Sequence, residues 1–371
     1  MKDCPDTLND IKREMARQGI GLLLAFHDGA HFIEKPNAVM VLSGFKSMGP
    51  AVVIVPREGK ATLIVSPAWD LERAAECAPD FFHAGAEDIV EILGEHMPSG
   101  SESKIGIAGL AGMPSRIGER LEAIIGREPQ PMDRIVFAAA RCKSENQIVK
   151  ARRAARVAER GYERLLEIAR PGMREDELAL DLKHYMKTLG AEDNFLMLCA
   201  SSHNRAVQPS SGRLLERGDI VLAEITPSIE GQLAQICRTA VLGNATDTLK
   251  EGYELVVRSM AQGIAAAKAG AKMADVCAAI DSVLKARGYG EYCHPPHIRR
   301  RGHGLGFGSN WPGDVSLDNE SILEPGMFFV IHPNQYLPET GYLLCGEPVL
   351  VAGDAPEVMS ERPASLAEIP I

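Results

Sequence analysis

Arg170-Pro171-Gly172-Met173-Arg174-Glu175-Asp176-Glu177-Leu178, continuing to Gly190, matches Lys268-Ala269-Gly270-Ala271-Lys272-Met273-Ala274-Asp275-Val276, continuing to Gly288, at one constant spacing. Gly172 pairs with Gly270, Leu182 with Ile280, Lys187 with Lys285 and Gly190 with Gly288. Each copy reads as a turn, an amphipathic helix and a glycine stop. A second pair follows in the same order: Arg217-Gly218-Asp219-Ile220-Val221-Leu222-Ala223-Glu224 and Pro325-Gly326-Met327-Phe328-Phe329-Val330-Ile331-His332. Both are turns leading into buried strands, and the wider spacing gives the second copy extra residues. Two repeats in one order point to a duplicated half-domain, residues 170–243 and 268–351. Duplicated halves commonly close around a site between them.

The rest of the chain is arranged around that duplication. Its 371 residues amount to two domains at roughly 150 residues each. Ile20–Ala25, Ala38–Leu42, Ala51–Val55 and Ala61–Val65 read as short apolar strands bounded by Pro or Gly. Trp69–Cys77 and Ala86–His96 read as helices, Ile105–Ala108 as a strand and Ser115–Ile125 as a helix. This is a small α/β domain ending near Phe137, with the domains expected at 1–138 and 139–371. Ser144–Ala169 reads as a long helix leading into the second domain, ended by Arg170-Pro171-Gly172.

Composition removes several functions. With 45% hydrophobic and 24% charged residues and a net charge of −10, the chain reads as an ordinary soluble globular protein and a poor binder of nucleic acid or of anionic membranes. No apolar run approaches the roughly 18 residues of a spanning helix, and the first residues lack the apolar core of a secretion signal. Eight scattered cysteines without a CxxC pair read as thiols, so the expected location is the cytoplasm.

The duplication also selects candidate chemistry. Glu224 and His332 occupy equivalent places at the ends of the two buried strands, and the returning strands carry Gln235 and Glu347. Polar groups in apolar runs are costly unless satisfied. A half-exposed sheet face explains any one of them more readily than all four. Arg299-Arg300-Arg301-Gly302-His303-Gly304-Leu305-Gly306 adds a histidine in a glycine-rich bend that lets the backbone approach something closely. Arg299 is the candidate to attract a substrate carboxylate, against the plain alternative of a solvated loop. Strand alternation puts Cys237 on the face of Gln235 and Cys345 on the face of Glu347.

These motifs together resemble the pita-bread family of creatinase, prolidase and aminopeptidase P. The resemblance lies in Lys143-Ser144-Glu145 to Ala158, Arg170-Pro171-Gly172, Gly218-Asp219, Cys237-Arg238-Thr239, Gly302 to Gly306, Leu323 to Met327, and Asn37 to Phe45. It implies an α/β chain with a small creatinase-type N-terminal domain, then a pseudo-symmetric pita-bread domain. The family's peptidases hold two metal ions with two aspartates, a histidine and two glutamates. Those positions fall here on Glu224, Gln235, His303, His332 and Glu347, of which only His303 and Glu347 keep the family residue. The family histidine seven residues beyond His303 is Asn310. The upstream histidine, creatinase's acid/base group, aligns with Gln208, with His203 as a nearby substitute.

A dinuclear peptidase site needs more carboxylates than this set supplies, because bridging carboxylates offset the repulsion between two cations. The leading expectation is a creatinase-like hydrolase that opens a C–N bond of a small amidine, amide or cyclic substrate, without cofactor. Its catalytic set is His303, His332, Glu347 and Glu224, and its substrate contacts are Gln235, Asn310, Gln208, His203 and Arg299. The alternative is a mononuclear-metal Xaa-Pro peptidase-like hydrolase or lyase with one divalent transition metal ion on His303, His332, Glu347 and Glu224. An alternative of another class is a non-catalytic binding module. The resemblance further implies a homodimer, with Phe26 to Phe32 as an irregular stretch after the first strand that approaches the other subunit's site.

Overall fold

The computed structural model describes residues 7–29, 37–96, 104–192, 194–353 and 355–371, the side chains of 308–311 excepted. The chain divides into two compact units, Met1–Arg141 with Phe307–Ser309, and Cys142–Gly306 with Asn310–Ile371. The short piece 307–309 therefore groups with the first unit, which a cut at 138/139 does not foresee.

The first unit runs α1 (Thr7–Gln18), β1 (Ile20–His27), α2 (Ala38–Ser43), β2 (Ala51–Pro56), β3 (Thr62–Val65), α3 (Leu71–Cys77), β4 (Phe82–Gly85), α4 (Ile89–His96), β5 (Lys104–Ala108), α5 (Ser115–Ile125), β6 (Gln130–Pro131) and α6 (Asp133–Ala139). Its six-stranded sheet has the order β4-β3-β2-β1-β5-β6. Ala38–Leu42 is helix α2 and not the strand its apolar run suggests. The Asn37 side chain accepts from Met40 N, and Gly44 closes the turn at φ 72°. Nearly every residue of α2 is buried, so no polar face reveals its period. Phe26 and His27 end β1 rather than forming an irregular stretch, and residues 30–32 lie outside the described residues.

The second unit begins with α7 (Glu145–Ile168), started by a capping box between Ser144 and Gln147. It continues α8 (Glu175–Thr188), β7 (Asn194–Ser201), β8 (Ile220–Ile229), β9 (Gln232–Leu233), β10 (Ile236–Leu242), α9 (Asp247–Ala266), α10 (Met273–Ala286), β11 (Gly302–Gly306), β12 (Gly308–Asp314), β13 (Phe328–Ile331), β14 (Gln335–Leu337), β15 (Gly341–Leu343), β16 (Glu347–Leu350), β17 (Glu357–Val358) and β18 (Ala367–Ile369). One sheet has the order β18-β10-β8-β7 with β9 on β8, and the other has the order β12-β11-β13-β16-β17. Pro227 lies within β8, and the turn that follows the strand is Glu230-Gly231, both at positive φ.

The same backbone pattern occurs twice in this unit. Gly172 N donates to Leu215 O and Gly270 N to Leu323 O, both at 2.8 Å. Leu215 N donates to Met173 O and Leu323 N to Ala271 O, again at 2.8 Å. Gly218 N reaches Leu242 O just as Gly326 N reaches Val351 O. The turns read as paired in the sequence thus make paired hydrogen bonds.

Helices α9 and α10 approach closely at Gly263, where a Cβ would stand 2.5 Å from Ile280 Cγ1 and 2.7 Å from its Cδ1. Ile280 is fully buried there. Gly263→Ala is expected to lower stability by about 1–3 kcal/mol through overpacking. Shortening the neighbour in Gly263→Ala/Ile280→Val should recover part of the loss. Urea unfolding of the four combinations measures this, and strictly additive effects would contradict the clash.

Candidate active site

Paired strand ends deliver the site residues. Glu224 on β8 stands directly opposite Cys237 on β10, on the same face. Gln235 is buried just before β10, and its amide donates to Cys237 Sγ at 3.6 Å. On the other sheet, His303 of β11 lies opposite Val330 of β13, and Glu347 of β16 lies opposite Ile331. His332 follows the last residue of β13.

The two half-sheets meet at one bridge. Cys237 N donates to Gly346 O at 3.1 Å, and Gly346 N donates to Cys237 O at 3.0 Å. The Thr239 hydroxyl extends the seam, donating to Leu344 O and accepting from Leu344 N, each at 2.9 Å. A Cβ at Gly346 would stand 2.7 Å from His332 Cβ and 3.0 Å from Cys237 Sγ. The bridge can close only over a residue without a side chain.

His303 and His332 are both buried, with ring centroids 5.3 Å apart at an interplanar angle of 67°. Their hydrogen bonds set opposite protonation patterns. His303 Nδ1 faces Gly304 O at 3.0 Å. A carbonyl only accepts, so Nδ1 carries the proton and Nε2 of the neutral ring holds the lone pair. His332 Nδ1 faces the Asn334 amide nitrogen at 3.3 Å. That nitrogen only donates, and the amide is oriented because its oxygen accepts from Cys345 N at 3.1 Å. His332 therefore carries its proton on Nε2. Of the two buried imidazoles, one presents an acceptor and the other a donor.

Electrostatics keep both rings neutral. Burial, then the charge of Arg300, pushes His303 down to about 4. Burial, then His303 and Arg300, pushes His332 well below its ordinary value. Glu224 goes the other way: burial raises its carboxyl to about 7, and Arg300 partly opposes that rise. One half-sheet thus offers a carboxyl near neutrality and the other two uncharged imidazoles, a set of groups suited to proton transfer at ordinary pH.

Glu347 is committed elsewhere. Its Oε1 lies 2.9 Å from Arg238 Nη2, and its Oε2 accepts from the same nitrogen at 3.2 Å and from the Ser360 hydroxyl. Arg238 also donates to Gly346 O at 2.7 Å. Both partners are almost fully buried, so removing either would strand a charge. This arrangement departs from Glu347 as a free nucleophile or ligand.

A divalent ion would need several of these groups to converge on one point at roughly 2.0–2.3 Å. Among the described residues no three His, Cys, Asp or Glu side chains are so gathered. Gln235 is a neutral amide, His332 Nδ1 is taken by Asn334, and Glu347 is paired with Arg238. The residues as arranged do not fit a carboxylate-rich metal centre.

Several expected contacts lie elsewhere. The Arg299 side chain is 76% exposed and 3.5 Å from Asp314 Oδ2, whereas the Arg300 side chain is 25% exposed and its charge reaches the site. Exposed His203 bonds Pro338 O at 3.0 Å and stands edge-on to Tyr336. Gln208 is exposed, and its backbone nitrogen donates to Cys199 Sγ at 3.3 Å. Asn310 lies in β12, with its side chain outside the described residues. Residues the sequence reading overlooks are Arg238, Asn334 and Arg300. Arg238 sits inside a quoted motif, and Asn334 follows His332 by two positions. Nothing in the sequence separates Arg300 from its arginine neighbours. None of the seven described cysteines is in a disulfide, and no helix among the described residues is long and apolar enough to cross a membrane.

Two sheets, each flanked by helices and turned by the same hydrogen bonds, with polar residues at their meeting ends, define a pita-bread domain that follows a smaller α/β unit in the sequence. The prolidase of Pyrococcus horikoshii OT3 has the same fold, with a TM-score of 0.84 at 23% identity over 96% of this chain and 99% of its own. The model of metallopeptidase family M24 matches residues 149–352, and the chain belongs to that family. An uncharacterised peptidase of Bacillus subtilis is 30% identical over 60% of this chain and 63% of its own length. The match thus spans just under two thirds of that relative. A Xaa-Pro dipeptidase of Pyrococcus furiosus is 28% identical over 86% of this chain and 90% of its own.

Glu224 gives a pH test. From its ordinary 4.5 to about 7, the unfolded carboxyl ionises while the folded one keeps its proton. Folding is therefore increasingly disfavoured as pH rises through that window, and the full cost is present above it. Glu224→Gln removes the cost, so its stability relative to the native chain should grow between pH 4.5 and 8 by up to about 3 kcal/mol. Chemical denaturation at the two pH values reads this directly, and a pH-independent difference would show that the carboxyl ionises normally.

Proposed function

We propose that the chain hydrolyses the carbon–nitrogen bond of a small amide, with an Xaa-Pro dipeptide as the substrate class. The observation that carries this is the complementary protonation of His303 and His332 beside a Glu224 carboxyl near neutrality. The comparisons fit the peptidase alternative better than the creatinase-like amidine reading that leads from the sequence. Named relatives are Xaa-Pro dipeptidases and a prolidase.

In this reading the water oxygen attacks the amide carbon and its proton passes to His303 Nε2. His332 Nε2–H donates to the carbonyl oxygen as charge develops there. The Glu224 carboxyl protonates the leaving nitrogen as the C–N bond breaks, then regains its proton from His303. Gln235 and Cys237 border Glu224, and the Arg238–Glu347 pair keeps the second half-sheet in register.

A second reading keeps the peptidase substrate with one divalent ion on His303, His332, Glu347 and Glu224. The family's description as metallopeptidases favours it, and the present arrangement of donors does not. A homodimer belongs to the proposal through the resemblance alone, and a cytoplasmic location and a small-molecule rather than nucleic-acid partner through the cysteine usage and the acidic charge.

A panel of Xaa-Pro dipeptides, N-acyl amino acids and creatine, assayed with chelator and then with added Mn, Co or Zn, tests the reading. Dipeptide turnover that survives chelation is expected. Glu224→Gln and His303→Asn should each lower kcat roughly 100- to 10,000-fold with little change in KM. Turnover only with added metal would transfer the assignment to the single-ion reading. Turnover of creatine alone would restore the amidine reading.

A further inference from the structure

Strand β8 brings a second polar side chain to the face that carries Glu224. Ile225 points at α7, where its Cγ2 would lie 3.7 Å from a Cβ at Gly161. Successive side chains of a strand point to opposite faces, so Glu224 and Thr226 share the face turned away from that helix. The sheet register extends this face into two rows. Glu224 stands opposite Met197 of β7 and Cys237 of β10. Thr226 stands opposite Phe195 on β7. On its other side, the pair Ile225–Ile236 and the bond from Ala234 N to Pro227 O at 3.3 Å bracket Thr226 with Gln235. The row beside the carboxyl is therefore an aromatic ring, a hydroxyl and an amide, none of them charged.

The hydroxyl of that row is left over. Thr226 is 2% exposed, and its Oγ1 has no hydrogen-bond partner among the described residues. Thr239 on the neighbouring strand shows the ordinary arrangement, with its hydroxyl bonded twice to Leu344. A buried hydroxyl without a partner costs stability. Valine has the same shape and suits a strand equally well, so packing alone does not call for threonine here. Phe195, Met197 and Glu224 on the same face are each only half-buried, which leaves the face open to a ligand.

We propose that the Thr226 hydroxyl is a substrate contact that selects an uncharged hydroxyl group on the leaving amine. The proposal rests on the hydrolase reading above, in which Glu224 protonates the leaving nitrogen, and it adds a specificity residue to that reading. Two residues along a strand span about 7 Å, so a group a few bonds from that nitrogen falls beside Thr226. The threonine hydroxyl both donates and accepts, which matches a second hydroxyl in either sense. Phe195 supplies an apolar wall for the carbon skeleton that carries it. A charged group in the same place would meet no opposite charge within the row.

Three measurements on the full chain test this. The first compares kcat/KM for dipeptides that differ by one hydroxyl, Ala-4-hydroxyproline against Ala-proline and Ala-serine against Ala-alanine, in the native chain, Thr226→Val and Thr226→Ser. The native chain should favour the hydroxylated member of a pair by at least about fivefold. Thr226→Val should bring that ratio close to one through KM, and Thr226→Ser should retain most of it. The second measures binding of free 4-hydroxyproline and proline by calorimetry, which needs no turnover. A hydroxyl preference in binding that is lost in Thr226→Val supports the contact even if no dipeptide is cleaved, in which case the hydrolase reading alone falls. The third is urea unfolding without ligand, where Thr226→Val should raise the midpoint because the partnerless hydroxyl is gone. A lowered midpoint would mean that the hydroxyl is bonded within the chain, and it would overturn the proposal. A hydroxyl preference that persists in Thr226→Val, or no such preference in either turnover or binding, would overturn it too.

Discussion

Cys237 and Gly346 exchange two backbone hydrogen bonds, and the arrangement of the larger unit depends on that exchange. It is the point at which β10 of one half-sheet touches the approach to β16 of the other. Around it lie Glu224 opposite Cys237, His332 against Gly346, and Glu347 one residue beyond. Arg238 seals the seam by bonding both Gly346 O and Glu347. A buried ion pair recovers little net energy after desolvation. What it contributes here is register, because a slip by one residue would move Glu347 to the opposite face.

The duplication was the legible part of the fold. Gly172 and Gly270, and Gly218 and Gly326, all take positive φ, a demand that leaves glycine in the sequence wherever the backbone repeats. Helix α2 was not legible, because burial on every side removes the polar face that reveals a helical period. At the site, the positions Glu224, Gln235, His303, His332 and Glu347 could be found from symmetry and resemblance. Their states could not. Which nitrogen of each imidazole holds the proton depends on Gly304 O and Asn334, and the availability of Glu347 depends on Arg238, more than a hundred residues away in sequence. The same reason separates Arg299 from Arg300: adjacent identical residues differ only in what the folded chain covers.

Membership in a metallopeptidase family and a donor set that does not gather around an ion describe one protein from two directions. The fold is that of the solved prolidase of Pyrococcus horikoshii OT3, and Arg238 ties its half-sheets here. At the polar positions, an amide stands at Gln235 and a second imidazole at His332, each still able to hydrogen-bond.

The opposed protonation of the two buried rings gives the site a direction. His303 Nε2 can take up a proton without its ring turning, whereas His332 can only lend its Nε2–H to a hydrogen bond, since giving that proton up would leave an imidazolate. Resetting by exchanging the nitrogens would mean breaking the bond to Gly304 O or the one from Asn334, deep in the packed interior. The proton that His303 takes up therefore leaves through a third group, one that gains and loses its proton near neutrality, and in the proposed hydrolysis that group is Glu224.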